Sequence, residues 1–348
     1  MACGSLDRRS FGKAAALWMA ALALPARAAR SRPEKSHVSL AVTGRSALRY
    51  LPLTLAEQLG FFRAEGLEIE VGEFADEAAS TRAVVSGSAD VVCGLYEQTL
   101  PLQSRGLPFR AFVLQGRAPQ IAMGVSLRHV PGFRSLLDLR GCRIGVAALG
   151  SASHMIASLA LTRAGLQASE VTFVPSGPGE GVLMALRSGE LDAISHVDPL
   201  MTQLEQRGAV HIVSDTRTLR GTEAVLGGPM PGACLYASAE FMSRYPATTQ
   251  ALADGVVRAL KWLQTASPSD IIRTVPERYM LGDRALYLAA LAKVREAMAP
   301  DGLFPEEGAH TALRAWRAFG TPGNVGRIDL SRTYTNDFAR RAMARFRT

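Results

Sequence analysis

The chain has 348 residues, of which 48% are apolar and 20% charged, and it carries a formal net charge of +8 at pH 7. That length allows two domains and a sizeable core, and it excludes wholesale disorder, which needs low hydrophobicity with high net charge. Four cysteines exclude a disulfide scaffold, and six histidines with no i, i+4 pair and no Cys-x-x-Cys offer no recognisable metal site, so no cofactor is expected.

Residues 1–28 read as an export signal of the twin-arginine type. Arg8-Arg9-Ser10-Phe11-Gly12-Lys13 precedes an apolar run, Ala14 to Leu24, and then the small-residue cleavage site Ala26-Arg27-Ala28. The run is too short to span a bilayer, which takes about 20 apolar residues. An ordinary secretory signal with a chance basic start is the other reading; either way a periplasmic location is expected. Removing residues 1–28 deletes four basic residues and one acidic one and leaves a net charge of +5. The remaining basic residues are scattered, so no nucleic-acid partner is expected. The densest group, Arg340, Arg341, Arg345 and Arg347, is expected on the solvated face of a C-terminal helix. Cys93, Cys142 and Cys234 each sit in an apolar strand-like run and are expected to be buried and reduced.

Strands are expected over 38–42, 67–74, 89–94, 109–114, 143–147, 171–174, 192–196 and 210–213, with helices over 52–62, 78–86, 153–164 and 181–186. Such alternation means βαβ units and a mostly parallel sheet. The chain also repeats itself. Residues 82–92 match residues 184–194 as helix, Ser-Gly, two residues, Asp, strand, with Ser86 and Ser188 offset by 102. Glu65-Gly66-Leu67 and Ala164-Gly165-Leu166 repeat at an offset of 99. Each Gly ends a helix by taking φ > 0, and each Asp opens a buried strand. Two similar α/β lobes follow, with strand C-termini and helix N-termini around a shared cleft suited to a small ligand.

The segment Tyr50-Leu51-Pro52-Leu53-Thr54-Leu55-Ala56-Glu57-Gln58-Leu59-Gly60-Phe61-Phe62, followed by Glu65-Gly66-Leu67, resembles the nitrate/sulfonate/taurine family of periplasmic solute-binding proteins of ABC importers. That family shares its fold with thiamine-pyrimidine-precursor-binding proteins. Weaker matches extend the resemblance over roughly residues 37–300: Ser86-Gly87-Ser88-Ala89-Asp90, Leu139 to Val146 leading to Gly150-Ser151, and Ala185 through Gly189 to Asp192-Ala193. The resemblance implies a type II periplasmic binding fold, with two α/β lobes joined by two hinge crossings near Gly116–Gln120 and Gly228–Gly232. It implies a first lobe from 37–118, a second from 119–230, and a return to the first lobe with C-terminal helices over 231–348. It implies a monomer that captures a small organic anion and delivers it to a membrane permease. An enzyme on the same fold, such as a pyrimidine-precursor synthase, is the alternative, although the Cys-rich motif that it would demand is absent.

Loops after the strands supply the candidate ligand residues. Gly44, Arg45 and Ser46 follow the first strand; Arg45 is either a charged fork in the cleft or a solvent-facing charge. Tyr50 and Tyr96 can present rings. Asp76 stands where the family often has a Gly pair and can instead cap the next helix. Arg117 either reaches over the cleft or forms a hinge salt bridge. Ser151, Ser153 and His154 open a helix whose free N–H groups and dipole favour an anion, and the resemblance places the ligand's anionic head there. Ser151 or Ser153 can equally be an ordinary N-cap. Gly177 lies in a second Gly-rich loop without the phosphate-loop pattern. His196 and Asp198 follow the third strand of the second lobe, where Asp198-Pro199 also reads as a helix start. Ser195, His196 and Asp198 form no catalytic triad, because neighbouring side chains on a strand point to opposite faces, and no catalytic residue is assigned.

Overall fold

Ten strands are present among the residues described by the computed structural model, which are Met1, 32–177, 180–320 and 328–346. They are β1 (His37–Thr43), β2 (Glu68–Phe74), β3 (Val91–Leu95), β4 (Phe109–Leu114), β5 (Ile121–Val125), β6 (Arg143–Val146), β7 (Thr172–Pro175), β8 (Ala193–Val197), β9 (His211–Asp215) and β10 (Ala233–Ser238). The expected signal peptide, Met1 apart, lies outside the described residues. The strands form two five-stranded sheets, ordered β2-β1-β3-β10-β4 and β7-β6-β8-β5-β9. In each, three parallel strands are followed by one antiparallel strand brought in from the other side of a crossing, β10 or β5. The chain passes between the sheets through residues 115–120 and returns through 216–232.

The internal repeat has a physical cause. Asp90, just before β3, accepts the Ser39 N–H of β1 at 2.9 Å; Asp192, just before β8, accepts the Arg143 N–H of β6 at 2.8 Å. Each Asp therefore ties the start of one buried strand to its parallel neighbour. Gly66, Gly87, Gly165 and Gly189 take φ of 82°, 79°, 91° and 80°, which end the preceding helices.

Three features differ from the sequence-based expectation. The helix expected over 52–62 is two, Leu51–Gln58 and Phe61–Ala64, because Gly60 takes φ 68° between them. β5 has no counterpart among the expected strands: Ile-Ala-Met-Gly-Val is buried throughout, so it shows none of the alternation that marks a half-exposed strand. Arg340, Arg341 and Arg345 are exposed, as expected of a solvated face, and Arg347 lies outside the described residues, but Arg345 is also tied down. It bonds both Glu65 oxygens, at 2.7 and 3.0 Å, and Asp254, so the C-terminal helix Asp337–Arg345 is fastened to the long helix Pro246–Thr265. Another C-terminal helix, Glu306–Ala318, packs both against residues 96–98 of the first lobe and against the helix Ala152–Arg163 of the second. Cys93 and Cys234 are buried and Cys142 half-buried, and all three are free.

Candidate ligand cleft

A cavity of about 610 Å³ lies between the lobes, within the range of small-molecule sites. Its walls come from the C-terminal ends of the parallel strands and the loops after them. The first lobe contributes Thr43, Gly44, Ser46, Ala47, Arg49, Glu73, Phe74, Ala75, Asp76 and Glu77, and the second Ala147, Ala148, Ser151, Ser153, Gly177, His196, Val197, Asp198, Pro199, Leu200 and Gln203. Leu281 closes one side. Much of this lining is alanine, proline, leucine and phenylalanine, so most of a ligand's surface would meet apolar atoms.

Among the described lining residues, Arg49 alone carries a full positive charge. Its side chain is 10% exposed, lies 5.0 Å over the Tyr50 ring, and donates from Nη2 to Glu77 Oε1 at 3.1 Å. Burial works against the Arg49 charge, but Tyr50, Glu77 and Glu97 together more than offset it, and its pKa is raised. Its Nε is buried and finds no partner among the described residues. The other Glu77 oxygen, Oε2, accepts the N–H of Ala152 at 3.2 Å. Ala152 is the first residue of the helix Ala152–Arg163, where backbone N–H groups have no partner within the helix. One carboxylate thus bridges a cation of the first lobe and a helix start of the second. A further cross-lobe bond runs from the Leu48 N–H to the Asp198 carbonyl at 3.1 Å.

Behind this pair lies Glu97, buried, with Oε2 unpartnered. Burial, reinforced by the Glu77 charge and opposed by Arg49, pushes its pKa up to about 8, so it is protonated at neutral pH. His196, 6% exposed, lines the cavity, and neither ring nitrogen has a well-formed hydrogen bond. Burial, with Arg49 nearby, lowers its pKa to about 4; the backbone of Val197 and Gly177 opposes the shift without cancelling it. The ring is neutral and offers one donor and one acceptor.

The structure sorts the other candidates by position. Gly44, Ser46, Asp76, Ser151, Ser153, Gly177, His196 and Asp198 all reach the cavity wall. Several are also committed elsewhere. Asp76 caps the helix Glu77–Val85 through the Ala79 N–H at 2.6 Å. The Ser151 hydroxyl donates to the Ala148 carbonyl at 2.6 Å, and that of Ser153 accepts the Ala147 N–H at 2.9 Å, so both shape the loop that presents the helix start. Asp198 accepts the Thr202 N–H at 2.8 Å and faces buried Arg217 at 3.3 Å.

Arg45, Tyr50, Tyr96, Arg117 and His154 stand off the wall. Arg45 is paired with Glu57. Tyr50 is fully buried under Arg49, and Tyr96 bonds Thr333 at 2.6 Å inside the first lobe. Arg117 donates to the Glu296 carbonyl at 2.8 Å beside the crossing. His154 accepts the Gly150 N–H at 3.0 Å and packs on Phe173 and Phe319. Sequence reasoning missed Arg49 and Glu77. A signal for Arg49 existed: a charge inside the apolar stretch Ala47-Leu48-Arg49-Tyr50-Leu51 must be paired if it is buried.

The family described as NMT1/THI5 like matches residues 48–269. A solved protein from Bordetella bronchiseptica RB50 is 46% identical, with a TM-score of 0.85 over 91% of this chain and 99% of that one. The alkanesulfonate-binding protein SsuA of Xanthomonas axonopodis pv. citri, bound to MOPS, is 18% identical, with a TM-score of 0.64 over 87% of this chain and 99% of that one. The periplasmic nitrate-binding protein NrtA of Synechocystis PCC 6803 is 15% identical, with a TM-score of 0.66 over 91% and 90%. These two share the fold. A curated relative, the 4-amino-5-hydroxymethyl-2-methylpyrimidine phosphate synthase of Schizosaccharomyces pombe, is 26% identical over 143 residues, 41% of this chain. The match spans only 40% of that relative's length.

Proposed function

The chain belongs to the NMT1/THI5-like family and has the two-lobed fold of periplasmic binding proteins, and from that premise we propose that it is an exported solute-binding protein that captures a small organic anion for an ABC importer. The observation that carries the reading is the cavity's polar pole. Arg49 and the Ala152 helix start face one another across the lobes, and apolar walls enclose the rest. A guanidinium and a helix N-terminus both bind anions, and desolvation strengthens each. Arg49 replaces Arg45 and Arg117 as the proposed charge partner.

The test is mass spectrometry of the protein purified from the periplasm. A co-purifying carboxylate or sulfonate and a mature N-terminus near Ala29 are expected. Calorimetry with that ligand should show Arg49→Met weakening it by tenfold or more, about 1.4 kcal/mol for each decade. A cationic ligand, or unchanged affinity, contradicts the anion reading. The synthase match supports a second reading as an enzyme. Conversion of the co-purified compound on incubation supports that reading, and recovery of the compound unchanged supports binding.

A further inference from the structure

The carboxylate nearest to both anion acceptors belongs to the protein itself. Glu77 places Oε1 3.1 Å from Arg49 Nη2 and Oε2 3.2 Å from the Ala152 N–H, inside the cavity and with its side chain only 17% exposed. A ligand's acid group needs the same two partners. Glu77 also has somewhere else to go. It is the first residue of its helix, whose start is capped by Asp76 through the Ala79 N–H, and its carboxylate bonds Arg49 and Ala152 rather than its own helix, so turning it away breaks no bond of that helix.

Accepting the cavity as an anion cleft, we propose that Glu77 is a tethered stand-in for the ligand: its carboxylate holds the anion position across the two lobes until the ligand's acid group displaces it. The consequence is a threshold for specificity. A tethered competitor acts at an effective concentration on the order of millimolar. A bare inorganic anion offers Arg49 and Ala152 little that Glu77 does not already supply. A monoanion with an apolar body adds burial against Phe74, Val197 and Leu200, and that surplus drives the exchange. Glu77 therefore selects amphiphilic acids over small ions.

The test compares the full mature chain with Glu77→Gln, which keeps shape and a hydrogen-bond acceptor but removes the charge that competes for Arg49. Octanesulfonate, benzenesulfonate, benzoate and nitrate serve as probes in calorimetric titrations. Glu77→Gln should bind whichever organic acids the parent binds about tenfold more tightly, and its discrimination against nitrate should narrow. Glu77→Asp, which keeps the charge on a shorter arm, should fall between the two. Equal or weaker binding by Glu77→Gln, with circular dichroism showing an intact fold, overturns the stand-in role and makes Glu77 a direct ligand contact or a bystander. Failure of every probe with both proteins overturns the anion reading itself, and the stand-in with it. Stronger binding by Arg49→Met does the same.

Discussion

At the scale of single residues, Glu97 and His196 titrate in opposite senses around Arg49. Glu97 keeps its proton up to about pH 8 because it is buried beside Glu77. An unfolded chain would release that proton near pH 4.5, the group's ordinary value. Between those limits the folded state holds more protons, so stability falls as pH rises. His196 stays neutral down to about pH 4, against 6.5 ordinarily. It therefore costs stability as pH falls through that window. Glu97→Gln removes the first effect alone. Relative to the parent it should be about equally stable at pH 4 and more stable by about 3 kcal/mol at pH 7. Urea denaturation at pH 4, 6, 7 and 8 measures this. Curves that stay parallel across that range would mean that Glu97 is ionised and solvated in the fold.

At the scale of elements, the last helix shows how a charged segment becomes structural. Glu65 is 4% exposed in its side chain and Asp254 3%, and Arg345 reaches both. Removing the cation leaves two buried carboxylates short of a partner, a loss that ordinarily costs about 3–5 kcal/mol. Here Arg345 is itself 29% exposed and Arg258 still faces Glu65 at 3.5 Å, so the cost is smaller. Arg345→Met should destabilise by about 2 kcal/mol and lower the melting temperature by roughly 3 °C. Adding Glu65→Gln and Asp254→Asn should recover part of the loss. Calorimetric melting checks both, and a variant that melts with the parent would mean that the Arg345 pairs add nothing to stability.

At the scale of the whole molecule, the cleft is closed by few direct bonds. Ala152 to Glu77, Leu48 to Asp198 and Lys293 to Glu205 cross between the lobes, Met155 and Ile156 pack into the first lobe's core, and residues 115–120 and 216–232 connect the lobes covalently. Hydrogen bonds of this kind contribute only about 1 kcal/mol each, and we expect the lobes to exchange between open and closed arrangements without ligand. A ligand that touches both walls shifts that population. Small-angle scattering of the mature protein should show the radius of gyration contract when the co-purified ligand is returned at saturation. An unchanged radius contradicts hinge closure. The helix Glu306–Ala318, seated on both lobes, limits how far they can part, since opening must slide or peel it from the helix Ala152–Arg163.

The sequence by itself determined what is written locally. The glycines that end helices, the aspartates that open β3 and β8, and the offset of about 100 between the halves are set by backbone sterics and by period, and they predict two matching α/β lobes. Their cleft at the strand ends follows from topology, which is why the loops after β1, β6, β7 and β8 were legible as its walls. Which side chains meet there was decided only by tertiary structure. Glu77 lies 28 residues from Arg49 and 75 from Ala152. No local pattern links the three, since their pairing arises when two lobes fold against each other and exclude water. The same holds for Arg45 and His154, whose loops reach the cavity wall, and for Arg117 at the crossing: their charges and rings found nearer partners in Glu57, Phe173 and the Glu296 carbonyl. A loop's address is encoded in the order of elements, whereas the direction of its side chain is settled by whichever long-range partner best compensates desolvation.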